Sequence, residues 1–282
     1  MILFNDQEIK FGHFPNGEVN IPKPFFSEHK QAINKVTLKY EGDEDLLRLF
    51  LVRKALWFPA DLHITYFPYS RMDRNSDEYI FTLKSITKLI NLMEWNKVVV
   101  YEPHSDVTPA LLNKCQVVNV TEHLFKEYLH LPGSQIFFPD AGAQKRYESL
   151  ESPDSLVGFK KRDFATGRIL SLEILGNKTS DTVIIVDDLC SKGGTFVLAA
   201  EKLHDLGFRN IVLVVAHCEN TIFEGKIFSG STYINWVMTT DSIIDNNRGY
   251  EKLVIVPLKD IKTDRSTEWR AKMDAIREKA HA

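Results

Sequence analysis

The chain has 282 residues, 44% of them hydrophobic and 26% charged, with 35 basic side chains against 38 acidic ones and a net charge of −3. That is an ordinary globular composition, on a length that carries about two domains at ~150 residues each. It excludes a strongly basic nucleic-acid binder, and no apolar run reaches the ~18–20 residues of a membrane span.

The opening, MILFNDQEIKF, sets polar and acidic residues where a secretory signal needs an apolar stretch. Residues 11–25, FGHFPNGEVNIPKPF, read as a strand or hairpin. Short apolar runs then recur, each ending in polar, reactive residues. Ile64–Phe67 runs into Pro68-Tyr69-Ser70-Arg71-Met72-Asp73-Arg74, and Val98–Tyr101 into Glu102-Pro103-His104. Ile136–Pro139 runs into Asp140-Ala141-Gly142, Val183–Val186 into Asp187-Asp188, and Ile211–Val215 into Ala216-His217. Helical spacing fills Phe81–Met93 and Phe196–Leu206, the latter closed by Gly207. Residues 266–280, STEWRAKMDAIREKA, read as a terminal amphipathic helix.

Apolar runs of four or five residues alternating with helices predict an α/β fold with mostly parallel strands buried on both faces. Leu131-Pro132-Gly133-Ser134 reads as a linker between two similar halves, 1–132 and 133–265, followed by the helix of 266–282. Ligands of such sheets bind beyond the carboxyl ends of the strands, where the polar residues cluster here. Three scattered cysteines, Cys115, Cys190 and Cys218, are too few for a disulfide framework or a zinc site, so a reducing cytoplasm is expected.

The strongest local signal is VIIVDDLCSKGGT, Val183–Thr195, opening onto a helix. Asp187 and Asp188 suit the 2- and 3-hydroxyls of a ribose. The amides of Ser191-Lys192-Gly193-Gly194-Thr195 and the helix N-terminus suit its 5-phosphate. Ser191 is neutral at a position where an acid would repel a second phosphate, and Lys192 supplies a point charge. The segment GFKKRDFATGR, 158–168, sets three cations between glycines and reads as a charged loop or a lid. His63 and His217 read as structural.

VDDLCSKGGT resembles the phosphoribosyl-pyrophosphate motif shared by type I phosphoribosyltransferases and ribose-phosphate pyrophosphokinases. Phe67–Arg74 resembles a segment found only in the pyrophosphokinases, and four further segments match in that family's order. The resemblance implies two phosphoribosyltransferase-like domains, each a mostly parallel sheet flanked by helices. It implies an ATP-dependent, Mg2+-requiring enzyme that moves the β,γ-diphosphate of MgATP to the anomeric hydroxyl of ribose 5-phosphate. By the same likeness Phe14, Asn16, Glu18, Arg71 and Asp73 bind ATP, and His104 and Asp140 bind the metal. Lys160 and Arg162 act in a flexible catalytic loop. Asp187, Asp188, Ser191, Lys192, Gly193, Gly194 and Thr195 hold the ribose phosphate.

In the family the Phe14 loop serves a neighbouring subunit, which implies a homodimer or a higher homo-oligomer. Neither a nucleic acid nor a membrane is an expected partner. Two acceptors fit the same chemistry, ribose 5-phosphate and ADP-ribose, the latter as a step in NAD salvage. A non-catalytic regulatory relative is a third reading. The family's usual strand and helix ahead of the Phe14 loop are short here, so one sheet is expected to lack a strand. Asp77 and Glu78 follow the Arg71 segment where phosphate-activated members carry cations, so no activating anion site is expected.

Overall fold

A computed structural model describes residues 1–125, 133–162, 169–230 and 232–261, with backbone alone for 160–162 and 169–171. The expected helix of 266–280 lies outside the described residues. The chain forms two compact units, Met1–Asn119 and Val120–Ala282. The division precedes the linker expected at 131–134, of which 131 and 132 lie outside the described residues. A short helix at Val120–His123 explains the earlier boundary. There Thr121 Oγ1 lies 3.4 Å from the Tyr147 hydroxyl, and Ser149 donates to Glu122, which fastens this stretch to the second unit.

In chain order the first unit contains β1 (Ile2–Phe4), β2 (Gln7–Glu8), β3 (Gly12–His13), β4 (Val19–Asn20), α1 (Lys23–Glu28), β5 (Lys35–Leu38) and α2 (Glu44–Ala55). It continues with β6 (Asp61–Ile64), α3 (Thr82–Leu92), β7 (Val98–Tyr101), α4 (Val107–Leu111) and β8 (Cys115–Val118). Its main sheet has the order β2-β1-β5-β6-β7-β8, and β3 with β4 makes a separate hairpin. β5 to β8 are parallel. β1 runs antiparallel to β5 and turns straight back into β2 through Asn5 and Asp6, both with positive φ. So a tight turn stands where the family resemblance implies a helix. The core gathers Phe4, Phe26, Val36, Leu38, Leu49, Leu62 and Ile64, all under 1% exposed. Each such burial is worth roughly 1.5–3 kcal/mol.

The second unit contains α5 (Val120–His123), β9 (Gln135–Phe138), α6 (Ala141–Arg146), β10 (Leu156–Arg162), β11 (Ile169–Leu175), β12 (Thr182–Cys190) and α7 (Gly194–Asp205). It ends with β13 (Asn210–Cys218), α8 (Lys226–Ser229), β14 (Trp236–Thr240) and β15 (Leu253–Val256). The described strands form one sheet in the order β11-β10-β9-β12-β13-β14-β15. All neighbours are parallel except β10 and β11. Val183–Val186 and Ile211–Ala216 are at most 1% exposed, the signature of central strands covered on both faces. Both units are therefore mixed α/β layers dominated by parallel sheet, as the alternation of runs and helices predicts. Among the described residues no helix is long and apolar enough to cross a membrane.

Candidate active site

The second unit brings four predicted site segments to the carboxyl edge of its sheet. β12 runs on through Asp187 and Asp188 to Cys190, so both acids lie within the strand rather than beyond it. Asp188 is 3% exposed and pairs with Arg146, whose guanidinium nitrogen stands 2.6 Å from Asp188 Oδ1 and 3.7 Å from Asp187 Oδ1. Burial works against the charge on Arg146, but Asp188, Tyr147 and Asp187 outweigh it and hold its pKa above the ordinary value. Burial and the neighbouring carboxylates of Asp188 and Asp140 push Asp187 well above the usual carboxylate range. Arg146 ends the PDAGAQKR segment, but its partnership with β12 has no local signature and the sequence does not single it out.

Asp140 follows β9 and caps α6, accepting the Ala143 N–H at 3.0 Å through Oδ1. A Cβ on Gly142 would lie 3.2 Å from that oxygen, which explains the glycine of the Asp-Ala-Gly turn.

Beyond β12, Ser191–Gly193 turn into α7. Gly193 has φ +73°, and a Cβ there would lie 2.3 Å from Ile227 Cδ1. Phe196 and Val197 both donate their backbone N–H to its carbonyl. Ser191 is itself neutral, but the structure sets an acid beside it that the sequence does not single out. Glu219, following β13, accepts the Ser191 hydroxyl at 2.6 Å, and Thr221 stands 3.0 Å from the same hydroxyl. The register of β12 with β13, Cys190 opposite Cys218, delivers this acid, and no local motif announces it. Lys192 is exposed and pairs with Glu224 at 3.2 Å. Gly225 packs so closely that a Cβ would come within 1.9 Å of the Lys192 carbonyl. The stretch following β13 thus braces the loop between β12 and α7.

Lys160 and Arg162 stand in β10, paired with Leu172 and Ile169 of β11, with an irregularity between Lys161 and Arg162. The segment read as a loop is a strand up to Arg162, and the rest of the expected lid, 163–168, lies outside the described residues.

In the first unit the Phe14–Glu18 loop joins β3 to β4. Phe14 is 53% exposed at its base. Glu18 donates its N–H to the Phe14 loop's own Asn16 Oδ1 at 3.2 Å, and Gly17, at φ +89°, closes the turn onto the Phe14 carbonyl. Arg71 and Asp73 follow β6, and His104 follows β7, so all three belong to the carboxyl edge of this unit's sheet. His63 and His217 bond Tyr101 and the buried Ser242 hydroxyl.

Among the described residues no three His, Cys, Asp or Glu side chains converge on a metal position. Asp140 is nevertheless a hard oxygen donor at the sheet edge, with Asp187 on the neighbouring strand. That donor set fits Mg2+, which takes one or two carboxylates and fills its shell with water and phosphate oxygens.

No protein-family profile matches the chain. A ribose-phosphate pyrophosphokinase of Saccharolobus solfataricus is 28% identical over 218 residues, 72% of this chain and 74% of its own. One from Sulfurisphaera tokodaii is 29% identical, covering 82% of each chain, and one from Pyrococcus abyssi is 26% identical, covering 83% and 84%. The crystal structure of phosphoribosylpyrophosphate synthetase from Mycobacterium smegmatis superposes with a TM-score of 0.68 at 16% identity, over 97% of this chain and 90% of that one. In sequence and in fold, this chain is similar to the ribose-phosphate pyrophosphokinases, which are enzymes.

Proposed function

We propose that the protein transfers the β,γ-diphosphate of ATP to the anomeric hydroxyl of ribose 5-phosphate. The anomeric oxygen attacks the β-phosphorus in line, and the bond from that phosphorus to the oxygen bridging the α-phosphate breaks. AMP leaves with the bridging oxygen, and the hydroxyl proton passes to water. The observation that supports this most is the second unit's combination of Asp187 and Asp188 with a glycine-bent loop opening onto α7. The carboxylates accept the ribose 2- and 3-hydroxyls, and the amides of Ser191–Thr195 take the 5-phosphate.

Phe14, Asn16, Glu18, Arg71 and Asp73 serve ATP in this reading, Arg71 by forking onto phosphate oxygens. Asp140 in the second unit and His104 in the first would each serve as a ligand for Mg2+, which when bound would neutralise phosphate charge. Lys160 and Arg162 stabilise negative charge on the departing AMP, so replacing either by Ala lowers kcat by about 10²–10³ with little change in KM. A crippling Lys161→Ala beside silent neighbours would shift the assignment by one residue.

ADP-ribose is a second acceptor, favoured by one observation: the Lys192 ammonium sits exposed at the loop, in a solvent-exposed ion pair with Glu224 at 3.2 Å. The decisive experiment measures AMP release with each acceptor in wild type and Lys192→Ala. Release with ribose 5-phosphate alone supports the first reading, and a Lys192→Ala loss confined to ADP-ribose promotes the second. A protein that binds both substrates without releasing AMP is the regulatory relative instead.

A further inference from the structure

We propose that Asp43, aided by Tyr40, is a positioning residue that latches Tyr69 and so fixes the Tyr69–Asp73 loop, an inference that rests on the reading that Arg71 and Asp73 serve ATP. Tyr40 and Asp43 follow β5, and Tyr69 follows the neighbouring parallel strand β6. Both phenol hydroxyls donate to the same oxygen, Asp43 Oδ1, each at 2.6 Å. The two rings lie 6.5 Å apart, tilted by 55°. Asp43 stands at the N-cap position of α2 yet makes no side-chain cap bond. Its carboxylate serves the phenols in place of the helix.

The loop needs such a hold. Tyr69 has φ +59°, the left-handed region that residues with bulky side chains avoid. That conformation lets the chain double back at once. Met72 donates its N–H to the Tyr69 carbonyl at 2.9 Å, and Leu83, in the first turn of α3, donates to the Met72 carbonyl at 3.2 Å. Ser70 is 1% exposed, and its hydroxyl lies 3.2 Å from the Tyr66 hydroxyl. The loop is thus pinned at 69 by the latch, at 70 from the interior and at 72 from α3, with Arg71 carried on the exposed side between them. The phenol bonds hold Asp43 below the usual carboxylate range. That shift agrees with a carboxylate committed to two donors.

Calorimetric binding of ATP and of ribose 5-phosphate, hydrogen exchange at the Met72 amide and thermal unfolding test the latch in wild type, Asp43→Ala, Tyr69→Phe and Asp43→Asn. Asp43→Ala and Tyr69→Phe should weaken ATP about tenfold, the scale of one hydrogen bond to a charged group, and speed Met72 exchange. Acceptor affinity should stay within about twofold, since a local hold acts on one ligand only. Asp43→Asn, which keeps an acceptor oxygen, should recover part of the ATP affinity. Unchanged ATP affinity with unchanged Met72 exchange in Asp43→Ala overturns the latch. Equal losses for both ligands with a falling Tm overturn it too, by showing a purely structural role. Wild type that binds no ATP removes the nucleotide reading instead, and Met72 exchange still decides whether Asp43 holds the loop.

Discussion

Two adjacent carboxylates repel each other and resist burial, and Arg146 pairs closely with Asp188 and more distantly with Asp187. The Asp188 side chain is 4% exposed and that of Arg146 25%. Removing one member of such a pair strands the other, at a cost of about 3–5 kcal/mol when fully buried. Arg146→Met should therefore lower the stability of the second unit by about 3 kcal/mol, the lower end because Arg146 is partly solvated. Adding Asp188→Asn should restore much of it, read as the thermal transition of the double variant against the single. Asp43 makes a separate, pH-dependent prediction. Its pKa is lowered by bonds from Tyr40 and Tyr69, so its contribution is present above the unfolded carboxylate value and lost as pH falls through the folded one. The stability gap between wild type and Asp43→Asn should accordingly narrow toward acid pH in a Tm series.

At the scale of elements, the loop from β12 into α7 works only because backbone passes through crowded space. Gly193 combines φ +73° with a Cβ contact of 2.3 Å, and Gly225 would place a Cβ 1.9 Å from a backbone oxygen. Gly194 has ordinary φ and nothing within 4 Å of its Cβ position. Gly193→Ala and Gly225→Ala should each destabilise by more than about 1–2 kcal/mol, whereas Gly194→Ala should leave the Tm close to wild type. Equal effects at 193 and 194 would remove the steric explanation. Central elements such as β12, β13, α3 and α7 were legible from the sequence because full burial writes itself as an apolar run and helical packing as a period. β10 was not, because Phe159-Lys160-Lys161-Arg162 carries the charges of a loop, and only its pairing with β11 makes it a strand. The antiparallel entry of β1 is likewise a tertiary choice. The site divides in the same way. Asp140, Asp187, Asp188 and Gly193 announce themselves within short motifs. Arg146, Glu219 and Asp43 act across 42, 28 and 26 residues of sequence, through pairings that only the folded sheet creates.

The whole molecule carries a net charge of −3, yet the proposed reaction gathers a triphosphate and a sugar phosphate, both strongly anionic. Local cations can answer part of that charge, but Arg146 is committed to Asp188, and Lys192 shares its charge with the exposed Glu224. The balance falls to divalent cation, for which Asp140 and His104 are the proposed protein ligands. Activity should therefore vanish in EDTA and return with Mg2+, and Asp140→Ala and His104→Ala should each raise the Mg2+ needed for half-maximal rate. Wild-type turnover by both variants, or turnover in EDTA, would take them out of the mechanism. The same charge balance argues against activation by free phosphate. Asp77 and Glu78 are both exposed immediately after the Arg71 segment, and a dianion approaching them meets repulsion that scales with its own charge. Inorganic phosphate added at constant ionic strength and saturating Mg2+ should leave the rate unchanged or lower it by competing at the Ser191–Thr195 loop. A several-fold rise would place an anion site beside those two acids and overturn this reading of the segment.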